Sequence, residues 1–276
     1  MVSTTQQKGR LAEVFARARA EGRAALITYL PVGYPSVEGS LAAMRTLVEA
    51  GADIVEVGVP YSDPLMDGPV IQNAAHVALT GGVRLTDVFT AAETVTEAGG
   101  VAVPMTYWNP VLRYGMERFA SDLAAAGGAG LITPDLTPDE AEQWREVAAA
   151  HGIDPVFLIA PSSTEERIAM TCAACPGFVY VASTMGVTGA RTAVGKGAVT
   201  LVERARAHTD APLAVGLGVS TGDQAAEVAS FADGVIVGSA LVSCLESTEG
   251  EDAEAPLTRL RALTEELAAG VRRGRS

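Results

Sequence analysis

The stretch "ADIVEVGVPYSDPLMDGPVIQ", residues 52–72, places one acid inside an apolar run and two more in the loop that follows. Glu56 interrupts a run that is typical of a buried strand, and the run ends at Pro60. Asp63 and Asp67 lie in the loop beyond it. Burying an ionised carboxylate without a partner is costly, so Glu56 needs an explanation that strand packing does not supply.

Outside this stretch, short apolar runs alternate with segments of helical periodicity. Segments such as 40–51 and 203–208 place apolar residues at helical spacing. The apolar runs predict eight strands, over residues 25–30, 53–58, 101–108, 129–134, 155–160, 178–183, 212–218 and 233–239. Alternation of strand and helix is the pattern of a parallel sheet with helical crossovers.

Eight such repeats in 276 residues favour a (β/α)8 TIM barrel, with residues 1–276 forming a single domain. Residues 1–23 predict an extra amphipathic helix at the N-terminus. A doubly wound open sheet is the alternative, but "PVGYPS" after the first strand lacks the Gly-rich dinucleotide pattern. "GKGAVT", residues 195–200, is not a P-loop, because glycine follows its lysine.

Composition and charge exclude several classes of function. The chain is 48% hydrophobic and 19% charged, which favours a globular core over disorder. A net charge of −13 argues against nucleic acid as a partner, so any bound phosphate needs a local feature such as a helix start. No apolar run is long enough to span a membrane, and the N-terminus lacks the apolar core of a signal peptide. We therefore expect a cytoplasmic location and no membrane partner.

The cysteine pattern "CAAC", at Cys172 and Cys175, invites a redox or zinc interpretation. A zinc site needs about four ligands, and the histidines are scattered along the chain. We predict that these residues and Cys244 are packing cysteines.

The active site of a barrel lies at the C-terminal ends of its strands, and Glu56 is near such an end. Because side chains alternate along a strand, Val55 and Val57 face one side while Ile54 and Glu56 face the other. If the valines pack against helices, Glu56 points into the barrel mouth, where apolar walls raise a carboxylate pKa towards acid–base values. A salt-bridged structural acid is the alternative.

The two loop acids sit in turn sequences. Asp63 is in Ser-Asp-Pro, for which an Asx-type turn is the ordinary explanation, and Asp67 is in Asp-Gly-Pro. Spacing alone therefore leaves the role of Asp67 open between a turn and chemistry.

Glycine-rich segments at the last strand ends indicate a phosphate site. "GLGVS", residues 216–220, and "GSALV", residues 238–242, let backbone N–H groups approach an anion, and Ser239 begins a predicted helix. Tight turns that merely need glycine are the alternative. The long loop 183–198 predicts a lid, with a passive loop as the alternative.

The residues that are missing narrow the chemistry. Lys8 and Lys196 are the only lysines, and neither lies in a predicted strand, so a Schiff-base aldolase is not favoured. The clustered histidine and carboxylate ligands of a metal-dependent aldolase are also missing from the strand ends. The remaining interpretation is acid–base catalysis by carboxylates on a phosphorylated substrate, in which the substrate itself accepts the electrons.

The sequence closely resembles one family, the α subunit of tryptophan synthase. The most specific segment is "DIVEVGVPYSDPLMDGPVIQNA", and the resemblance extends over residues 8–270. Further segments match in order: "PMTYWNPVLRYG", "LITPDLTPDE", "YVASTMGVTGAR" and "GLGVS" followed by "GVIVGSALV".

The resemblance implies a lyase of L-tryptophan biosynthesis, which cleaves indole-3-glycerol phosphate into indole and glyceraldehyde 3-phosphate by a retro-aldol reaction. Glu56 matches the catalytic glutamate that protonates ring carbon C3 and assists proton removal from the C3′ hydroxyl. Asp67 matches the catalytic aspartate that accepts a hydrogen bond from the indole N–H. The protonated ring is then the electron sink, which agrees with the missing lysine and metal ligands.

The resemblance also implies the substrate-binding residues. The phosphate would be held at Gly189, Gly218, Gly238 and Ser239, with Thr188 on the closing loop. Asp135 falls where a partner loop is approached. The remaining matched positions form the wall around the indole: Tyr29, Ile71, Ile132, Leu158 and Tyr180.

The family works as an α2β2 heterotetramer, so the resemblance implies a tryptophan synthase β subunit as partner. No cofactor is expected in this chain, since pyridoxal phosphate belongs to the β subunit. Two other functions stay open: a stand-alone lyase that releases free indole, and a non-catalytic barrel that binds a phosphate metabolite.

Overall fold

The computed structural model describes residues 9–183, 193–247 and 250–274. Within these ranges the strands are β1 Ala25–Pro31, β2 Ile54–Gly58, β3 Val101–Met105, β4 Gly130–Ile132, β5 Asp154–Val156, β6 Leu158–Ile159, β7 Val179–Ala182, β8 Leu213–Gly216 and β9 Gly234–Val237. The helices of the first half are α1 Arg10–Ala20, α2 Val37–Glu49, α3 Pro69–Thr80, α4 Asp87–Glu97, α5 Trp108–Tyr114 and α6 Met116–Ala125. Those of the second half are α7 Glu142–Ala150, α8 Glu165–Ala174, α9 Ala193–Arg206, α10 Gly222–Ala229, α11 Ser239–Cys244 and α12 Ala255–Arg273.

The strands form one parallel sheet in the order β5-β4-β3-β2-β1-β9-β8-β7-β6. Its two outer strands, β5 and β6, are separated in sequence by Phe157 alone, so the sheet closes on itself as a barrel. This confirms the predicted (β/α)8 TIM barrel, and α1 is the extra N-terminal helix.

The fifth predicted strand, 155–160, is interrupted at Phe157. The Phe157 N–H donates to Cys175 Sγ at 3.3 Å, while its carbonyl accepts the Tyr180 N–H at 3.2 Å. The chain therefore pairs with β4 before this residue and with β7 after it. Cys172 and Cys175 are buried in the core as free thiols, which confirms their packing role.

Several other predicted segments extend beyond the observed elements. The third strand ends at Met105 and not at residue 108, because Trp108 begins α5 and its N–H donates to the Asp135 carboxylate at 2.9 Å. The eighth predicted strand, 233–239, likewise ends before Ser239, which is the first residue of α11. The loop predicted over 183–198 ends earlier, since α9 begins at Ala193, and residues 184–192 lie outside the described ranges.

The alternation along β2 follows the prediction. Val55 and Val57 belong to the outer core between sheet and helices, whereas Ile54 belongs to a separate core inside the barrel. Leu11 and Phe15 of α1 belong to this inner core, and the Phe15 ring lies 5.4 Å from that of Phe178, just before β7. Helix α1 therefore closes the N-terminal end of the barrel.

Buried ion pairs hold this closed end together. Arg23 donates to both carboxylate oxygens of Asp53, just before β2, at 2.6 and 2.8 Å. Asp53 also accepts the Leu26 N–H at 2.9 Å. Asp233, just before β9, accepts the Leu213 N–H at 3.0 Å and pairs with Arg206. Arg23, Asp53 and Asp233 at this end thus have partners and serve stability.

No helix within the described ranges combines the length and apolar character needed to cross a membrane.

Candidate active site

A cavity of about 270 Å3 opens at the C-terminal end of the barrel, opposite α1. Its lining comes from the ends of the strands and the loops that follow them, as is usual for enzymes with this fold. The lining residues are Tyr29, Glu56, Met66, Asp67, Gly68, Ile71, Met105, Pro134, Leu158, Tyr180, Ala182, Ser183, Gly216, Gly218, Ile236, Gly238 and Ser239.

Glu56 lies in β2, in register with Tyr29 of β1, and only 1% of it is exposed. Its Oε1 has no hydrogen-bond partner among the residues that the structure describes. Burial raises the pKa of this carboxyl to about 8, so the side chain is protonated at neutral pH. Asp53, three residues earlier, has an arginine and a backbone N–H as partners. A role in stability therefore explains the burial of Asp53 but not the burial of Glu56.

Asp67 lines the same cavity from the loop between β2 and α3. The loop is held by backbone and side-chain bonds, since the Asp67 N–H donates to the Pro64 carbonyl at 3.1 Å and Gln72 Nε2 donates to the Asp67 carbonyl at 2.9 Å. Burial raises the pKa of the Asp67 carboxyl, and a hydrogen bond from Tyr107 opposes this shift. Asp63, in contrast, is exposed and accepts a hydrogen bond from the Ser62 hydroxyl at 2.6 Å.

Two tyrosines flank the carboxyl groups, and glycines make room for them. A Cβ on Gly58 would lie 2.4 Å from Tyr29 Oη, and one on Gly216 would lie 3.0 Å from Tyr180 Oη. Burial raises the pKa of Tyr29 well above its ordinary value, with a further contribution from Asp67. Burial acts in the same way on Tyr180, followed by the charge of Glu56. Both phenols are therefore neutral hydrogen-bonding groups.

Glycine-rich segments after β8 and β9 also line the cavity. Gly218 has a φ of 65°, a conformation that other residues rarely adopt. Gly238 and Ser239 follow β9, and Ser239 is the first residue of α11. The glycines predicted for a phosphate thus line the same cavity as Glu56.

The structure places two of the five remaining predicted residues at the cavity. Ile71 and Leu158 line it. Ile132 instead is fully buried in the core inside the barrel, and Pro134, two residues later, lines the cavity. Thr188 and Gly189 lie outside the described residues.

Several lining residues were missed by the sequence analysis, although the alternation of side chains in strands could have found some of them. Ala182 lies two positions after Tyr180, Gly216 two before Gly218, and Ile236 two before Gly238. Four others come from loops, where no period applies: Met66, Gly68, Pro134 and Ser183.

One small cavity thus brings together a protonated carboxyl group, a second carboxyl group, two phenols and glycine-rich backbone. It suits general acid–base chemistry on a compact ligand with an anionic end. Within the described ranges, no group of three or more His, Cys, Asp or Glu side chains is placed to hold a metal ion.

Comparison with known proteins identifies the family. The family model of the tryptophan synthase alpha chain matches residues 15–272. The tryptophan synthase alpha chain of Nocardia farcinica is 64% identical over 96% of this chain and 97% of its own length. That of Mycobacterium ulcerans is 62% identical over the full length of both chains.

Solved structures agree. A chain of Mycobacterium tuberculosis tryptophan synthase superimposes with a TM-score of 0.89 at 61% identity, over 96% of this chain and 99% of that one. The tryptophan synthase alpha subunit of Legionella pneumophila gives a TM-score of 0.86 at 31% identity, over 96% and 99%. The chain therefore belongs to the tryptophan synthase alpha chain family.

Proposed function

We propose that Glu56 and Asp67 perform the chemistry of this chain. Its reaction is that of the alpha chain family, the cleavage of indole-3-glycerol phosphate into indole and glyceraldehyde 3-phosphate. The observation that carries the residue assignment is the buried Glu56 carboxyl, whose Oε1 has no partner among the described residues and which lines the cavity.

Glu56 acts first as an acid and then as a base. Its carboxyl donates a proton to C3 of the indole ring, which becomes a cation with its positive charge centred on the ring nitrogen. The resulting carboxylate takes the proton of the C3′ hydroxyl while the C3–C3′ bond breaks. The electrons of that bond return to the ring, the C3′ carbon becomes the aldehyde, and Glu56 is protonated again.

Asp67 stabilises the cation. As a carboxylate it accepts a hydrogen bond from the ring N–H, and this bond strengthens as positive charge develops, so it lowers the barrier rather than only binding the substrate. Tyr29, Ile71, Leu158 and Tyr180 provide the wall around the ring.

The phosphate is held at the other end of the cavity, by backbone groups at Gly218, Gly238 and Ser239. Backbone amide groups at glycine-rich turns and at the start of a helix can bind an anion without requiring a charged side chain. Thr188 and Gly189 complete this end of the site in the family resemblance, and both lie outside the described residues.

The reaction is tested by measuring indole release from indole-3-glycerol phosphate. We expect slow release by the chain alone and faster release after a tryptophan synthase β subunit is added. Steady, fast release without the β subunit would favour a stand-alone lyase. Binding of the substrate without any release, with or without the β subunit, would favour the non-catalytic barrel and contradict the proposal.

The protonation state of Glu56 predicts the alkaline side of the pH profile. Because the acid must be protonated to donate, and its pKa in the free folded chain is about 8, kcat/KM should fall about tenfold per pH unit above pH 8. Measurement of kcat/KM between pH 6 and 10, at substrate concentrations well below KM, checks this. A flat profile to pH 10 would contradict the acid role of Glu56.

The same resemblance supports the assembly. We propose an α2β2 heterotetramer in which the active-site face of this barrel meets the β subunit, near Asp135 and the loops after β2 and β3. Pyridoxal phosphate would belong to the β subunit and not to this chain. The cytoplasmic location and the single domain over residues 1–276 stay predictions.

A further inference from the structure

The hydroxyl group of Tyr107 lies directly behind the loop that bears Asp67. It accepts the N–H of Met66 at 2.9 Å, and its oxygen lies 3.4 Å from Asp67 Oδ2. A phenol has a single proton to donate, and with the oxygen already accepting from Met66, that proton points to the Asp67 carboxylate. Among the described residues, it is the one side-chain donor to this carboxylate.

Tyr107 does not line the cavity, so it has no contact with a ligand there. We propose that Tyr107 is a positioning residue for the reaction, whose hydroxyl fixes the place and the charge of the Asp67 carboxylate. This inference rests on the proposed role of Asp67.

The backbone that carries Tyr107 is held firmly, as a positioning residue requires. The Thr106 N–H donates to the Ile132 carbonyl of β4 at 3.0 Å, and the Thr106 hydroxyl donates to the Tyr107 carbonyl at 2.9 Å. On the other side, the Trp108 N–H donates to Asp135 at 2.9 Å. The segment that follows β3 thus carries the phenol on a backbone that is hydrogen-bonded on both sides of Tyr107.

The other polar contacts of Asp67 involve its backbone and not its carboxylate. Met66 is 58% exposed, the Asp67 N–H donates to the Pro64 carbonyl, and the Gln72 side chain donates to the Asp67 carbonyl. The Tyr107 ring stacks on Tyr61 of the same loop, with centroids 4.9 Å apart and planes inclined by 25°. A phenylalanine at position 107 keeps this stacking and removes the hydroxyl alone.

The charges around Asp67 make the pH dependence of the rate informative. Its titratable neighbours are the phenols of Tyr29, Tyr107 and Tyr180, all with raised pKa values and neutral at neutral pH, while Glu56 and Asp135 act on these tyrosines. The bond from Tyr107 favours the charged form of Asp67. Removing this hydrogen bond should therefore raise the pKa of Asp67. As the pH is lowered, the loss of rate should then begin at a higher pH than in the wild type.

The test is a double-mutant cycle with Tyr107→Phe and Asp67→Asn, which isolates the coupling between two groups. We expect Tyr107→Phe to lower kcat by about tenfold, as for the loss of one charge-assisted hydrogen bond. The acid limb of its pH profile should move to higher pH. In the Asp67→Asn background the same substitution should change kcat by less than about twofold, since the carboxylate is no longer present.

The matched control is Tyr114→Phe, which removes a hydroxyl that donates to Asp122 at 2.5 Å on the outside of the barrel. It should leave kcat and the pH profile unchanged. Because Met66 is largely exposed, water can replace the hydroxyl at its N–H. Tyr107→Phe should therefore fold, and thermal unfolding checks this.

Three outcomes are distinguishable. A wild-type kcat and pH profile for Tyr107→Phe would overturn the inference, and so would an equal loss in both Asp67 backgrounds. If Asp67→Asn itself kept the wild-type rate, the proposed role of Asp67 would be wrong, and the inference would fall with it.

Discussion

Replacing Glu56 by glutamine is expected to lower kcat for indole release by about 10²–10⁴-fold, the usual contribution of a general acid–base group. Glutamine keeps the shape of the side chain but has no acidic proton to give to C3 and no carboxylate to take the hydroxyl proton. Substrate binding should change little, because the wall of the cavity and the glycine-rich end are untouched. Steady-state kinetics with indole-3-glycerol phosphate and equilibrium binding of the substrate measure the two effects.

The matched control is Glu142→Gln, the same change at an exposed position in the first turn of α7. Its kcat should stay within about twofold of wild type, as for surface substitutions generally. If Glu56→Gln retained the wild-type rate, the assignment of the acid–base role would be wrong.

The same substitution should stabilise the fold, and this gives an independent readout. The pKa of Glu56 is raised from 4.5 in the unfolded chain to about 8 in the folded one, so the folded state binds the proton more tightly. The stability that protonated Glu56 contributes is therefore lost progressively as pH rises from 4.5 to 8. The loss is about 1.4 kcal/mol per pH unit, or about 3 kcal/mol in total by pH 7. The free energy of unfolding of Glu56→Gln should lack this slope.

Stability measured by denaturant unfolding at pH 5, 6, 7 and 8 would show this. We expect the difference between variant and wild type to grow in favour of the variant across this series. Parallel curves would mean that Glu56 titrates near its ordinary pKa, and the acid role at neutral pH would then fail.

Replacing Asp67 by asparagine is expected to lower kcat by about 10²–10³-fold, comparable to the loss of one preorganised electrostatic contact. The asparagine oxygen still accepts a hydrogen bond from the ring N–H, but it carries no charge to match the cation that forms on protonation. The loss should therefore appear mainly in kcat and less in KM, because the interaction strengthens only as the charge develops.

Asp63→Asn is the matched control, since Asp63 lies in the same loop, is exposed and makes its side-chain contact with Ser62. With the isolated chain, its kcat should stay within about twofold of wild type. Unchanged kinetics for Asp67→Asn would return Asp67 to the role of a turn residue, which its Asp-Gly-Pro sequence equally permits.

Much of the fold could be predicted because burial in a barrel leaves a clear trace in the sequence. Strands with both faces covered become continuous apolar runs, and their count and spacing gave the (β/α)8 architecture. The alternation of Val55, Glu56 and Val57 also predicted that the acid and the two valines take opposite faces, and the structure places those valines in the outer core. The spacing of Asp67 did not assign its role, and only the resemblance to a family did.

Other features depend on contacts between distant segments and leave no local signal. The break of the fifth strand follows from the sulfur of Cys175, eighteen residues away, which takes the Phe157 N–H. The early end of β3 follows from Asp135, which accepts the first N–H of α5. Tyr107 likewise gave no sign of its bonds to Met66 and Asp67, which lie forty-one and forty positions earlier.

By itself the sequence determined the barrel, the alternation that sets Glu56 on the face opposite Val55 and Val57, and the glycines at the ends of its last two strands. Local periodicity and backbone freedom are properties of neighbouring residues, so a linear pattern records them. The tertiary structure decided that Glu56 stays protonated and that Asp67 shares its cavity with Gly218 and Ser239. A pKa depends on which groups surround a carboxyl group in space, and only closure of the barrel brings those groups together.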